Sequence, residues 1–466
     1  MQRHLLRTCL VSSALLALSL TPSRAATITV TNSNDSGPGS FRQAVADAVA
    51  GDDIVFDAAT DGVPIVLTSG EITIGLSLTI TGNDTTNTII SGDGASRILR
   101  IENAGTVSIT GLKLTMGMSA TDGGALWIGA SMVTLTGTTV SDSHAGLRGG
   151  GIYKTTGTLT LVASWIHGNT ASGAAAAEGG GGLYNDGGDV LSNSGTTIHN
   201  NTADGAAGSG GGIFNNNGGQ LNLTATMISG NSASRAGGGI EQNAAVSSTV
   251  LNDVTLDSNS TGPAPGNGGG LHITGPGSAM LTNCTITGNH ATAEGGGLWN
   301  GSGTMTIDAC DIIGNRASGS VDPAGAPNGV LDLQGGGGVF NNLGTVDILN
   351  TSGATNITGN IADGAPFGSG GGILSVGGYF TAKGANISMN ETLRAGGGIE
   401  NAASAMSISS CILMFNDCST GGTLPTASPG NGGAVHVSGV GSMLIVACSI
   451  DGNSAANEGG GLWGSG

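Results

Sequence analysis

Four observations in the 466-residue sequence predict an all-β chain: a single right-handed parallel β-helix solenoid, three strands per coil, with a short N-terminal capping helix. Glycine supplies 89 residues, while charged residues make up only 9%. A glycine cluster followed by an aliphatic residue occurs twelve times, at Leu126, Ile152, Leu183, Ile213, Ile240, Leu271, Leu298, Val339, Ile373, Ile399, Val435 and Leu462. Between clusters an aliphatic residue, two others and an Asn recur, as in Ile166 to Asn169, Ile228 to Asn231 and Ile286 to Asn289. A third stretch alternates apolar and polar residues, as around Leu159 and Leu161. Three period-2 segments separated by turn residues, repeated along the chain, build one coil of a solenoid rather than a compact core.

The composition excludes several alternatives. Glycine does not recur every third residue and Pro numbers only 11, so the chain is not collagen-like. Apolar residues reach 38% and fall in short periodic runs, which argues against simple disorder. A formal charge of -18 opposes nucleic-acid binding.

The first element is a leader. Arg3 and Arg7 precede the apolar run Leu10 to Leu20, followed by Ser23, Arg24 and Ala25. That order is the pattern of a secretory signal peptide over residues 1-25, cut after Ala25. No later stretch is apolar enough for a transmembrane helix. The sequence therefore predicts a secreted or cell-surface protein.

Residues 26-117 read as an N-terminal cap and the first coils, because strand-like runs such as Leu78 to Ile80 occur there without glycine clusters. Ser40 to Val49 is the one helical stretch, with Ser40 as N-cap. A helix here would cover the open end of the first coil. Residues 118-466 carry the glycine-cluster repeats, with glycines expected at corners and the motif asparagines expected in left-handed turn geometry. A block of them is duplicated: Arg235 to Glu241 recurs as Arg394 to Glu400, and Glu294 to Trp299 recurs as Glu458 to Trp463. The last repeat stops mid-coil at Gly466, so more chain is expected to follow.

The forms Gly123-Gly124-Ala125-Leu126 and Gly432-Gly433-Ala434-Val435, alternating with the Asn motif, resemble the repeats of bacterial polymorphic outer membrane proteins and related pectin-lyase-like β-helix surface proteins. The start, Ile28 through Phe41-Arg42-Gln43-Ala44-Val45 to Asp57, is similar to the N-terminal module of many such secreted proteins. The resemblance implies an outer-membrane or secreted location and an adhesive role toward a host or environmental surface glycan or protein. It does not imply catalysis.

Strand alternation sends the residue after each cluster aliphatic outward. That column contains Trp127, Tyr153, Tyr184, Phe214, His272, Trp299, Phe340, His436 and Trp463, together with Glu241, Leu374 and Glu400. It predicts either a solvent-facing platform for sugar rings or a partner, or a ladder of stacked rings between coils. Cys284, Cys310, Cys411 and Cys448 each stand five residues before a motif Asn, at an inward and small position. Buried free thiols are expected there rather than disulfides, with Cys418 placed in a loop.

His167 and His199 stand outward on consecutive coils, without a third metal ligand fixed by spacing. Asp204, Asp363, Glu178, Glu294 and Glu458 sit before glycine clusters, where calcium binding is an open reading and no other cofactor is expected. The rival function is a polysaccharide lyase or glycoside hydrolase on the same fold. Such chemistry needs paired carboxylates, or acids beside a base, on one face. The sequence after residue 25 offers only Lys113, Lys154, Lys383 and seven arginines as bases, with no such cluster. Asp52 and Asp53 fit a turn after the helix. Insertions concentrate between the motif Asn and the next cluster, the longest at Ala317 to Gln334, which marks one tolerant edge.

Overall fold

The computed structural model describes residues 25–193, 195–243, 247–263, 265–319, 334–365, 368–418 and 430–464. The expected leader, apart from Ala25, and most of the insertion at Ala317 to Gln334 lie outside the described residues.

The chain is an all-β parallel solenoid of about 14 turns. The twelve cluster aliphatics stack in register as expected: Leu126 pairs with Ile152, Ile152 with Leu183, and the series runs on to Val435 and Leu462. Ile72 and Leu99 extend the same column two coils toward the N-terminus. The strands after the glycine clusters form a 14-stranded sheet, those before the motif Asn another 14-stranded sheet, and the alternating strands between them a 15-stranded sheet. The sheets run unbroken through residue 117.

One expectation is corrected. Coils from Met118 onward carry a fourth strand of two residues, and these pair into a 12-stranded sheet. Thr170–Ala171 is one example. The chain turns at the motif Asn and stays extended for two residues before the variable loop begins. Their second position is small and inward, as in Ala145, Ala171 and Ala203. Cys418 occupies this column, buried in the strand Asp417–Cys418, rather than a loop. Burial pushes its thiol up to about 12.

The motif asparagines are corrected too. The left-handed residue is the one before them, such as Gly168, Asn200 or Ser258, while Asn169, Asn201 and Asn259 turn inward and are fully buried. Each amide joins its neighbours: Asn201 Nδ2 donates to Asn231 Oδ1 at 3.0 Å and to the Ile166 carbonyl at 2.9 Å. The backbone N–H of Asn201 also donates to Asn231 Oδ1, at 3.0 Å. A corner that buries backbone polar groups thereby satisfies them with side-chain amides.

Glycine at the clusters answers two needs. Gly180 has φ +65°, and a Cβ there would meet the Leu183 carbonyl at 2.6 Å and Tyr184 Cβ at 2.9 Å. At Gly181 a Cβ would lie 2.5 Å from the carbonyl of Gly211 on the next coil. Any side chain would push the stack apart.

The N-terminal helix α1, Phe41–Asp47, is capped by Ser40, whose Oγ accepts the Gln43 N–H at 3.2 Å. It buries Phe41, Ala44 and Val45 in the same core as Val30 and Ile54 of the first coil. Asp52 accepts the backbone N–H groups of Val49 and Ala26, bonds that lower its pKa and hold the turn after the helix. Among the described residues no helix is long and apolar enough to cross a membrane.

Candidate functional site

The outward column is regular in register, and between its half-buried ends at Trp127 and Trp463 it is closed to solvent. Tyr153 pairs with Tyr184, Tyr184 with Phe214, and Glu241 with His272, each on consecutive coils. Tyr184 and Phe214 are fully buried, and Trp299 is 8% exposed. Of the two readings of the column, the solvent-facing platform is corrected and the stacked ladder is found: Tyr153, Tyr184 and Phe214, with Trp127 against them, form one satellite cluster outside the main core, and Trp299 and Phe340 belong to another. The Tyr184 hydroxyl donates to the Ala177 carbonyl at 2.8 Å, and the Trp299 indole to Glu294 Oε2 at 2.9 Å.

The rings stack along the solenoid axis. Tyr184 and Phe214 have centroids 4.7 Å apart, His272 and Trp299 4.2 Å, Trp299 and Phe340 5.9 Å, and His436 and Trp463 4.4 Å. Trp127 is half-buried at one end, where the Arg100 guanidinium lies 4.0 Å above its ring. Arg148 covers Tyr153 while bonding Asp122 and Asp186. Burial and the Asp186 carboxylate push the Tyr153 phenol well up, and burial pushes Tyr184 up to about 12.

Two Glu–His pairs interrupt the rings. Glu241 Oε2 lies 2.8 Å from His272 Nδ1, and Glu400 Oε2 lies 2.6 Å from His436 Nδ1. Both contacts fall short of aligned hydrogen bonds, since the same carboxylate oxygens have no hydrogen-bond partner of good angle. They fall at equivalent places in the duplicated block, with Thr274 and Ser438 donating to the second carboxylate oxygens.

The sequence reasoning missed a second, inward polar column at the third strand position. Lys154, Asn185, Asn215, Asn300 and Asn341 are all fully buried there. Lys154 Nζ donates to Asn185 Oδ1 at 3.1 Å and to the Gly187 carbonyl at 2.7 Å, and burial pushes its pKa down to about 8. The signal was the recurrence of Asn one position beyond the aromatic.

The thiols are free and mostly buried. Cys310 Sγ accepts the Cys284 N–H at 3.4 Å, and Cys448 Sγ accepts that of Cys411 at 3.4 Å. His167 and His199 stack at 4.8 Å, with burial lowering both pKa values. Among the described residues no group of three or more His, Cys, Asp or Glu is placed to hold a metal. The acids before the clusters have local partners: Glu458 accepts from Trp463, Asp363 from Arg316, and Glu178 from the Ala175 N–H. Ser172 donates to Asp204 at 2.7 Å and meets His144 Nε2 at 3.0 Å. Here the hydroxyl proton is committed to the carboxylate, so the imidazole is not placed as a general base for the serine.

An open concave feature lies on the outer face of the 15-stranded sheet. A groove of about 340 Å³ crosses the strands Tyr379–Lys383, Ala405–Ser409 and Ser442–Val446. Tyr379, 65% exposed, and Leu444, 58% exposed, form its walls. Ala405, Ser407 and Ser442 form its floor. The sequence signal was Tyr379 itself, the aromatic in an outward strand column whose neighbours are Thr345, Ala405 and Ser442.

No protein-family model matches the chain, and no curated protein matches it. Among solved structures it is similar to "Geobacillus virus E2 - ORF18", at 10% identity and a TM-score of 0.35. The match covers 82% of this chain and 61% of that one, so the chain spans less than two thirds of it. A likeness at that level carries no argument about function.

Proposed function

We propose that the chain is an exported, non-catalytic interaction module, released from or displayed at a bacterial cell surface, that binds a surface glycan or protein. The observation that carries this reading is where the reactive side chains are used. Glu241, Glu400, His272 and His436 are enclosed in the outer ladder, Lys154 is enclosed in the core, and four of the five described cysteines are buried. The outward positions of the sheets carry mainly Thr, Ser and Asn, as in Thr134, Thr160, Asn222 and Thr306. Such faces suit contact better than proton transfer. The leader-like start and the repeat resemblance to polymorphic outer membrane proteins support the exported location.

The test is a glycan array and a cell-adherence assay with purified chain, beside incubation with pectin and alginate. Binding without change to the polymer is the expected result. Depolymerised pectin or alginate would overturn the reading.

A further inference from the structure

We infer that the groove between Tyr379 and Leu444 binds one pyranose ring of a neutral glycan, an inference that rests on the interaction-module reading above. Its chemistry matches such a ring on each side. A pyranose has an apolar C–H face and an edge of hydroxyls. Tyr379 offers a broad exposed ring, and Leu444 closes the opposite side. Aromatic faces take apolar ring faces at low entropic cost, because a tyrosine has few torsions to fix.

The polar groups are of the kind that read sugar hydroxyls. Ser407 and Ser442 line the floor, and hydroxyls both donate and accept. Thr381 Oγ1 donates to Asp347 Oδ1 at 2.7 Å, which fixes that hydroxyl and leaves the carboxylate with further acceptor capacity. Asp347 and Thr381 are register partners on adjacent strands, so backbone pairing positions this corner rather than a loop.

Other occupants fit less well. Lys383 follows Thr381 at the next outward position of its strand and offsets Asp347, so the groove carries no net positive field. With a chain charge of -18, anionic polymers are repelled at long range. An extended peptide adds along an open strand edge, yet Tyr379–Lys383 and Ala405–Ser409 are each paired on both sides, and the one open edge among the described strands of the groove, at Ser442–Val446, lies two strands from Tyr379. Hydrolysis needs paired carboxylates across the ring, and no carboxylate lines the groove; Asp347 stands behind Thr381. The volume of about 340 Å³ suits a single ring with its flanking residues in solvent.

The experiment uses the full chain on an array of neutral hexopyranose oligosaccharides, with oligogalacturonates as the acidic arm, followed by calorimetric titration of the best binder. Tyr379→Ala should weaken neutral-glycan affinity by about tenfold or more, with circular dichroism and unfolding midpoint unchanged. Tyr379→Phe should retain binding, since the ring face remains. Neutral-glycan binding that Tyr379→Ala leaves intact overturns the groove assignment while the interaction reading stands. Binding confined to the acidic arm overturns the assignment of ligand class. A chain that adheres to cells but binds no glycan overturns this inference alone, whereas polymer cleavage overturns the reading beneath it.

Discussion

Glu241 and His272 occupy paired positions on consecutive coils, with Oε2 and Nδ1 at 2.8 Å and both side chains withdrawn from water. Burial alone would raise the carboxyl pKa. The His272 charge and contact, with Arg235 and the Thr274 hydroxyl, bring it below its ordinary value. A carboxyl whose folded pKa is depressed adds stability that is present above its unfolded value, about 4.3, and is lost as pH falls through the folded one. Glu241→Gln should therefore cost about 3 to 5 kcal/mol at neutral pH, the cost of breaking a buried pair. Urea unfolding at pH 7 and pH 3 checks both points: the gap between variant and parent should shrink at the lower pH. An equal gap at both would contradict the ion-pair account.

The buried amide ladder makes a sharper prediction about isosteric change. Asn231→Asp keeps the Oδ1 acceptor used by Asn201 but loses the Nδ2 donor to the Ile198 carbonyl and to Asn259. It also places a carboxylate in a corner with no cation. Asn231→Asp should destabilise more than Asn231→Ala, which loses on the order of 1 to 3 kcal/mol per orphaned group. Thermal unfolding of the two variants measures the order, and the reverse order would count against it.

Lys154 predicts an alkaline effect. Burial lowers its pKa from 10.5 to about 8, so between those values the unfolded chain binds the proton that the folded chain has released. Stability should rise with pH across that window. In Lys154→Met the rise should be smaller than in the parent, as read from urea midpoints at pH 7.5, 9 and 10.5. Identical slopes in the two proteins would contradict the buried-amine assignment.

The coil register is legible because the strand period and the glycine clusters are local features of sequence, and they align Leu126 through Leu462 without any long-range information. The alternation also separated Leu183 from Tyr184 correctly as inward and outward. What it could not show is that outward differs from exposed. Tyr184 is closed off by Ala177, Trp299 by Glu294 and Tyr153 by Arg148, all from segments whose length varies between coils. The motif asparagines were misassigned for a related reason. Asn suits both a left-handed turn and a buried amide ladder, and only stacking decides between them. Tyr379 escaped notice because a single aromatic in an otherwise Thr- and Ser-rich strand column breaks no repeat.

If the ladder is structural, truncating it should cost stability and not binding. Trp299 stacks between His272 and Phe340 and bonds Glu294. Trp299→Ala should lose about 3 to 5 kcal/mol, in line with large-to-small changes at buried sites. At temperatures where that variant stays folded, its glycan affinity should equal the parent's. Loss of affinity without loss of stability would return the column to the role of a binding platform.

The most direct test is hydroxyl-radical footprinting of the folded chain, read residue by residue by mass spectrometry. The account predicts rapid oxidation of Tyr379 and of Trp165, which is 40% exposed. It predicts protection of Tyr184, Phe214 and Phe340 until the chain unfolds. Oxidation of Tyr184 and Phe214 in the folded chain at the rate of Tyr379 would contradict it.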